Sequence, residues 1–258
     1  MSEFTLVFNS GIAKLKNPSN VDENFTTRLD RTIQLKRDKK YKVAMIKLQG
    51  SYSWYNIEPQ RANNLIRYSS DSGATYNDIN IAGGIYSYSD INNLLHDAMR
   101  NNGDFTLVGG EEVFNINITF NINTFKVTIE ITDPTYRFDL VSQAFSNLLG
   151  FNVGIISVTS ESVRLPDITN SIENIFIHSS LVSNSVVDGV SGNTLFSFST
   201  ATLSRSFPFS FEPQHLLWQD LSNNFISEAT FKFTDQAEQL IRLNGISVSY
   251  TILIKELD

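Results

Sequence analysis

The C-terminal stretch of this 258-residue chain alternates more regularly between apolar and polar residues than any other part of the sequence. The apolar positions recur at every second residue, at Ile246, Val248, Tyr250, Ile252 and Ile254. Because successive side chains of a β-strand point to opposite faces, this period of two predicts a strand with one face in a core. A domain that contains such a strand must supply a second layer to cover that face.

Similar segments, rich in branched and aromatic residues, lie toward both ends of a chain that holds 19 Phe and nine Tyr. Such side chains pack well on a half-buried sheet, so these segments are predicted to be strands. They span residues 4–8, 25–35, 41–48, 175–182, 194–203, 225–233 and 246–254. In residues 41–48 both alternating sets are apolar, which predicts a strand covered on both faces. We expect a mainly β fold in which strands near Tyr41 and Ile246 share one core of a two-sheet sandwich.

The middle of the chain has a different pattern. Ser, Asp, Gly, Asn and Thr dominate residues 71–84, which predicts a loop or a boundary. Apolar residues then recur at helical spacing, at Ile91, Leu94, Leu95, Ala98 and Met99. This stripe predicts an amphipathic helix with Ser89 as its N-cap and Gly103 as its end.

A hairpin and a second helix follow the first helix. Apolar and polar residues alternate over residues 114–120 and again over 125–131, on either side of a short turn that contains Asn. This arrangement is typical of a β-hairpin. Residues 140–149 fit a helix that ends at Gly150, after which Phe151 would fold back on the last turn.

Helix, hairpin and helix together make a unit that can carry a minor core of its own. We therefore expect residues 74–151 to form an inserted α+β subdomain. Residues 1–73 and 152–258 would then form one discontinuous sandwich, with strands contributed by both ends of the chain.

The formal net charge of −7 and the sequence pI of about 5.0 argue against a surface that binds nucleic acid. Such a surface needs Lys and Arg to displace counterions from phosphates. The one basic cluster, residues 36–40, contains an Asp and lies between two predicted strands, which indicates a solvated turn. The chain has no Cys, which excludes disulfides, a thiolate nucleophile and Cys-ligated zinc.

The sequence contains no pattern typical of a catalytic site. It lacks the Gly-x-Ser-x-Gly elbow of hydrolases and the glycine-rich loop that binds phosphates. His96 lies beside Asp97 on the polar side of the predicted helix, where a solvated face is the simplest interpretation. His178 precedes Ser179 and Ser180, but neighbours in a strand point to opposite faces and cannot act as a pair. A pair of carboxylates brought together by the fold stays open as an alternative.

We therefore predict that the protein is not an enzyme, with no catalytic residue, no cofactor and no metal site. None of the three histidines, of which the third is His215, has a second His or a Cys at ligand spacing. Folding and assembly should need no transition metal. The first ten residues lack the regions of a signal peptide, and no segment approaches ~18 apolar residues. We expect a soluble protein that is made inside a cell and spans no membrane.

Three sets of segments carry a resemblance to a known family. The first set comprises NFTTRL at residues 24–29, YKVAMIKL at 41–48 and SWYN at 53–56. The second set comprises GIYS at 84–87 and LLGF at 148–151. The third comprises IFIHSSLV at 175–182, TLF at 194–196 and the alternating C-terminal strand. In this combination the chain resembles the minor capsid proteins, or pentons, of Polinton/Maverick elements and virophages.

The resemblance implies a jelly-roll β-sandwich that forms a cyclic homo-oligomer, a pentamer, at a capsid vertex and contacts the neighbouring major capsid protein. It also implies a place in the virion, no direct contact with nucleic acid and no catalytic residue. In that family Cys and Asp often precede the Leu-Val pair of the third set, where this chain has Ser179 and Ser180.

A second interpretation stays open, namely a lectin-like β-sandwich that serves as a binding or host-attachment module. Large exposed rings on such a module can form a platform for a sugar. The candidates are Trp54, Tyr55, Tyr86, Tyr88 and Trp218. For Trp54 and Tyr55 the competing expectation is a position over the hydrophobic core, because large rings bury much area.

Overall fold

The computed structural model describes residues 3–169, 172–183, 185–187, 190–203 and 207–257. The chain is mostly β, with 46% of it in strands and 14% in helices, which confirms the expected class. Its strands are β1 (Glu3–Asn9), β2 (Asn24–Gln34), β3 (Tyr41–Ser51), β4 (Leu65–Ser69), β5 (Asn77–Asn80), β6 (Thr106–Val108), β7 (Glu111–Val113), β8 (Ile116–Asn121), β9 (Lys126–Ile131), β10 (Arg137–Leu140), β11 (Gly154–Ile156), β12 (Ser160–Glu161), β13 (Asn174–Ser179), β14 (Val182–Ser183), β15 (Ser185–Val187), β16 (Val190–Gly192), β17 (Thr194–Ser199), β18 (Pro208–Phe211), β19 (Gln219–Leu221), β20 (Phe225–Asp235) and β21 (Ser249–Glu256). Its helices are α1 (Ser10–Lys16), α2 (Tyr88–Asn102) and α3 (Gln143–Leu149), with single 3-10 turns at Pro59–Arg61 and Thr200–Thr202.

The chain divides into two compact units, Met1–Trp54 with Ile172–Asp258 and Tyr55–Ser171. The first unit holds two main antiparallel sheets, with the strand orders β1-β21-β3-β19-β14 and β17-β13-β20-β2. Strand β18 also pairs with β3, and β15 pairs with β16 in a separate hairpin. Because β1 pairs with β21 and β21 pairs with β3, both ends of the chain lie in one sheet, as the sequence predicts.

Aromatic rings fill the space between the two main sheets. The ring centroid of Phe231 on β20 lies 4.9 Å from that of Phe8 on β1 and 4.9 Å from that of Tyr250 on β21. The ring of Phe25 on β2 lies 5.9 Å from Tyr250. Because these rings belong to different sheets, their contacts join the two layers into a β-sandwich with one apolar core.

The predicted alternation of the C-terminal strand is confirmed over β21. Val248, Tyr250, Ile252 and Ile254 are at most 2% exposed, and the residues between them are half-buried. Ile246 is 42% exposed, because it lies in the connection before β21 begins. The face that carries the apolar set is the face that the second sheet covers.

The expectation that β3 is covered on both faces is confirmed at Ala44, which is fully buried, and is wrong at Ile46, which is half-buried. Val43 and Met45 are fully buried. The pairing of β3 with β21 then passes from Met45 to Lys47, while β21 continues without a gap. This bulge moves the alternation by one residue, so that Leu48 is the next fully buried side chain.

The second unit holds sheets with the strand orders β11-β10-β4-β5 and β12-β9-β8, the β6-β7 hairpin, and helices α2 and α3. The predicted hairpin is confirmed as β8 and β9, which pair from Ile116 and Ile131 to Asn121 and Lys126. The unit has its own apolar core, to which its sheets and both helices contribute. Its fully buried members include Tyr68, Met99, Phe138, Phe145 and Leu149.

Helix α2 begins two residues before its predicted start. The N-cap is Ser87 instead of Ser89, and the Ser87 Oγ accepts a hydrogen bond from the backbone N–H of Asp90. The Asp90 carboxylate accepts in turn from the backbone N–H of Ser87, which completes a capping box. The helix ends as predicted at Gly103, whose φ of 76° is left-handed.

Helix α3 is shorter than predicted at its N-terminal end. Leu140 belongs to strand β10, and the helix begins after Ser142, whose Oγ accepts from the N–H of Phe145. The helix ends at Gly150, with a φ of 77°, as predicted. Phe151 donates its backbone N–H to the carbonyl of Ser146 and is buried, which confirms that the chain folds back on the last turn.

The second unit runs from Tyr55 to Ser171, in place of the expected residues 74–151. Strand β4 precedes residue 74, yet it pairs with β5 and β10 of this unit. Strands β11 and β12 follow residue 151 and pair with β10 and β9. Residues 71–84 are also not a single loop, because β5 lies among them. The segments on both sides of the expected insertion therefore complete the sheets of the second unit.

Candidate functional site

The five aromatic residues predicted as a sugar platform do not form one exposed set. Trp54 is 2% exposed, and its ring stacks on Tyr52 with the centroids 4.0 Å apart and lies 6.1 Å from Phe233. Trp54 therefore closes the core of the sandwich and is not accessible to a ligand. Trp218 is half-buried in the same unit, where the Lys255 Nζ lies 5.9 Å from its ring centroid.

Two of the predicted platform residues pack over a glycine pair in the second unit. A Cβ at Gly83 would lie 3.1 Å from the ring of Tyr55, and a Cβ at Gly84 would lie 2.8 Å from the ring of Tyr86. The Tyr86 hydroxyl donates to the carbonyl of Ala82 at 3.0 Å. Both rings are half-buried. A side chain at either glycine would therefore make the ring beside it shift.

The fifth candidate, Tyr88, belongs to an aromatic cluster that the sequence did not reveal. It stacks on Phe120 of β8 with the centroids 4.8 Å apart, and Phe125, in the turn after β8, lies 6.5 Å from Phe120. Phe120 and Phe125 are 38% and 59% exposed, and Ile122 is 72% exposed. Exposed apolar clusters of this kind are typical of surfaces that contact another protein.

A shallow cleft of about 390 Å³ lies along α2. It is lined by Ile85, Tyr86, Asp90, Asn93, Leu94 and Asp97. Both carboxylates already have partners, since Asp90 completes the capping box and Asp97 accepts from the guanidinium of Arg100 at 2.5 Å. Burial and the nearby Asp90 raise the pKa of Tyr86. The polar groups of the cleft therefore serve α2 itself.

The continuous segment of residues 153–165 contains β11 and β12, and it forms one edge of each of the two larger sheets in the second unit. Strand β11 is the edge beside β10, and β12 is the edge beside β9. Five aliphatic side chains of this segment are 48–70% exposed, namely Val153, Ile155, Val158, Val163 and Leu165. Edge strands of monomeric proteins are usually protected by charges, prolines or bulges against pairing with another chain. This edge, with its aliphatic surface, is a second candidate for contact with another protein.

A cleft of about 400 Å³ lies in the first unit, beside the start of β2. It is lined by Lys14, Asn20, Val21, Asp22, Glu23, Arg242, Asn244 and Gly245. Asp22 is 3% exposed, accepts from the Ser10 Oγ at 2.8 Å and forms an ion pair with Lys14. These groups join α1 to the residues that precede β2. Loss of Lys14 would leave the buried Asp22 carboxylate without its ion pair, which destabilises a fold. This cluster therefore has a structural role.

The structure places His178 between two threonines and apart from the neighbouring serines. Its Nε2 lies 2.9 Å from the Thr234 Oγ1, and its Nδ1 lies 3.2 Å from the Thr194 Oγ1. Ser179 is buried, whereas Ser180 is exposed and lies beyond the end of β13. Burial lowers the pKa of His178 below its ordinary value. A Ser-His pair is therefore not formed.

His96 is half-buried, in contrast to the expected solvated position. Its ring stacks on Phe114 with the centroids 4.1 Å apart, and its Nε2 lies 3.1 Å from the carbonyl oxygen of Ile116. Burial lowers the pKa of His96, and the positive charge of Arg100 acts in the same direction. The ring thus joins α2 to the residues around β8.

Acidification is expected to destabilise the fold through these two histidines. Their pKa values are lower in the folded chain than the ordinary value of about 6.5, so the unfolded chain binds protons first as the pH falls. Their contribution to stability is complete above the ordinary pKa and is lost below it. We expect the double variant His96→Gln/His178→Gln to show a smaller fall in Tm between neutral and mildly acidic pH than the unmodified chain.

The exposed His215 supplies the control for this measurement. The variant His215→Gln should lose as much Tm on acidification as the unmodified chain. An equal loss in the double variant would contradict the assignment and would point to carboxylates as the source of acid sensitivity. Thermal scans by circular dichroism at several pH values are sufficient.

Within the described ranges, no group of three or more His, Asp or Glu side chains is arranged to hold a metal ion. Across the same residues, no helix is long and apolar enough to cross a membrane. The basic cluster at residues 36–40 is a turn, where the Lys36 carbonyl accepts from Asn224 at 3.0 Å and Lys39 lies 3.6 Å from Glu256.

Comparison with known proteins identifies the fold. No family model matches the sequence, and no curated protein matches it. Among solved structures, the crystal structure of the mavirus penton protein matches with a TM-score of 0.56. The match covers 99% of this chain and 100% of that chain, at 12% sequence identity. The two chains therefore share a fold over their whole length, although few of their residues are identical.

Proposed function

We propose that this chain is a structural capsid protein, a penton-like subunit that occupies the vertices of a virion. The observation that carries the proposal is the match to the mavirus penton protein over the full length of both chains. A match restricted to the sandwich of the first unit would not distinguish a capsid protein from many other β-sandwich proteins. A match that includes the second unit favours a protein with the same overall plan and the same kind of task.

We further propose that the first unit is a jelly roll. In chain order, β1, β2 and β3 lie alternately in the two main sheets, and β18, β20 and β21 do the same. The central strands β13 and β17 are neighbours in the second sheet. This succession supports the double Greek-key arrangement of a jelly roll, a fold common in viral capsid proteins. The second unit interrupts it between β3 and β13.

On this proposal the subunits form a cyclic homopentamer and contact the surrounding major capsid protein. A ring needs two different complementary surfaces on each subunit, because heterologous contacts close by rotation. The aromatic cluster around Phe120 and the aliphatic edge of β11 and β12 are candidates for such surfaces. The net charge of −7 favours contacts with protein over direct contact with nucleic acid. The role is structural and requires no catalytic residue.

The native mass of the purified protein tests the proposal. We expect size-exclusion chromatography with light scattering to give a species of five times the 29.1 kDa chain mass for the protein alone. If the ring needs the major capsid protein, five copies of this chain should be found in the complex with it. Assembly contacts can be small, so a ring could require the partner. A monomer at all concentrations, with and without the major capsid protein, would overturn the proposal.

A further inference from the structure

An exposed Asn-Gly turn lies in the segment between β20 and β21 of the first unit. The backbone N–H of Ile246 donates to the carbonyl of Leu243 at 2.9 Å, which closes a four-residue turn. Asn244 has a φ of 49° and Gly245 a φ of 82°, so both central residues are left-handed. This combination is typical of a type I′ turn, for which Asn and Gly are the preferred residues. Asn244 and Gly245 are exposed to solvent.

We propose that Asn244 is a site of spontaneous deamidation, independent of the capsid role. The backbone nitrogen of Gly245 gives its proton to solvent hydroxide and attacks the side-chain Cγ of Asn244. A C–N bond forms, the bond from Cγ to Nδ2 breaks, and the Nδ2 leaves as ammonia after taking a proton from water. Water then opens the cyclic imide, which yields aspartate or isoaspartate at position 244.

The attacking nitrogen is unobstructed at this turn. The N–H of Gly245 has no hydrogen-bond acceptor among the described residues. No heavy atom lies within 4 Å of the position that a Cβ on Gly245 would take. The backbone of a type I′ turn must rotate before the imide ring can close. An exposed turn with open space around its glycine permits that rotation at small cost, because loops open locally far more readily than core elements.

A second Asn-Gly pair in the chain, Asn102–Gly103, lies in a protected position. The Gly103 N–H donates to the carbonyl of Arg100 at 3.1 Å and closes the end of α2. The Asn102 Nδ2 donates to the hydroxyl oxygen of Tyr68 at 2.7 Å. Attack by Gly103 would require the helix end to open. The side-chain amides of Asn102 and Asn244 each donate a hydrogen bond, so the backbone is what distinguishes the two pairs. Both sites have the same reacting dipeptide, Asn-Gly, so a difference between their deamidation rates reports mainly on their different structural surroundings.

Deamidation would remove one defined contact. The Asn244 Nδ2 donates to the carbonyl oxygen of Ser53 at 2.6 Å, directly before the buried Trp54. A carboxylate has no hydrogen to donate, so aspartate at position 244 would direct its negative charge at that carbonyl. The product therefore loses the bond that ties the turn to residue 53, and the net charge of the chain becomes more negative by one.

The experiment uses the full chain, incubated in its folded state at mildly alkaline pH in water enriched in oxygen-18. Peptide mapping by mass spectrometry then follows both Asn-Gly pairs. Incorporation of one heavy oxygen separates deamidation during incubation from deamidation during later handling. We expect Asn244 to react about tenfold or more faster than Asn102, because only the latter needs the helix end to open. The rate should rise with pH, as the attacking nitrogen must lose its proton.

Three variants complete the test. Asn244→Gln should abolish the reaction at this position, because glutamine closes its ring far more slowly, while Asn102→Gln should leave the rate at Asn244 unchanged. We expect ageing of the unmodified chain to shift its tryptophan fluorescence, and Asn244→Asp should show the same shift because it also lacks the donor to the Ser53 carbonyl. The proposal is overturned if Asn244 stays intact in the folded chain but reacts in the urea-unfolded chain. Equal rates at Asn102 and Asn244 in the folded chain would also overturn it.

Discussion

Replacing Phe231 with alanine is expected to lower the free energy of unfolding of the first unit by about 3–5 kcal/mol. Phe231 is fully buried, and its ring lies 4.9 Å from Phe8, 5.4 Å from Phe25 and 4.9 Å from Tyr250. Three neighbouring rings on both sheets lose a contact at once, and stiff aromatic neighbours cannot collapse fully into the cavity. Urea unfolding followed by far-UV circular dichroism measures the loss.

Strand β20 also supplies the matched control. Phe225 begins the same strand and is 55% exposed, so Phe225→Ala should change the free energy of unfolding by at most about 0.5 kcal/mol. Both variants remove the same ring from the same strand, and the difference between them isolates burial. Comparable losses at the two positions would mean that Phe231 does not hold the two sheets together.

The strands of the sandwich are predictable from the sequence because burial on one face imposes a period of two. Tyr250 and Ile252 illustrate this, since their alternation with half-buried residues needs no knowledge of the rest of the fold. The bulge at β3 is not predictable in the same way. Its apolar residues fit either face, so nothing in the run from Val43 to Leu48 shows where the alternation shifts.

Element ends are predicted where the local chemistry is unique. Gly103 and Gly150 end their helices because a left-handed residue is needed there and glycine takes that conformation at little cost. Leu140 fits the helical stripe of α3 but lies in β10, where it pairs with Gly154. This pairing was not predictable, because Gly154 is distant in sequence. The start of α2 was equally ambiguous, since both Ser87 and Ser89 are good N-caps.

The candidate site was predicted poorly because exposure depends on tertiary packing. For Trp54 the competing expectation of a position over the hydrophobic core is confirmed, because the residue is 2% exposed after the end of β3. The aromatic cluster of Tyr88, Phe120 and Phe125 joins a helix start to a hairpin turn, and no local pattern connects those positions. The apolar edge of β11 and β12 was also missed, because strands of three and two residues are too short to show an alternation of apolar and polar residues.

The largest expected effect on folding concerns the second unit as a whole. Replacement of residues 55–171 by a short Gly/Ser linker should leave a first unit that still folds and melts cooperatively. The cost of closing a surface connection grows by only about 0.6 kcal/mol per doubling of its length, so shortening it removes little stability. The core of the first unit is built from strands before residue 55 and after residue 171. Circular dichroism with a thermal melt measures the outcome.

A second excision makes this test specific. Replacement of residues 74–151 removes β5 through β10 with α2 and α3, but leaves β4, β11 and β12 without partners. Ile57, Ile66 and Tyr68, all fully buried in the core of the second unit, would then be exposed to water.

We expect this shorter excision to bind a hydrophobic dye and to aggregate, although it deletes fewer residues than the first. If the excision of 55–171 is unfolded while that of 74–151 is folded, the strands flanking the insertion belong to the sandwich after all. If neither variant folds, the two units depend on each other for stability, and neither can be treated as an independent folding unit.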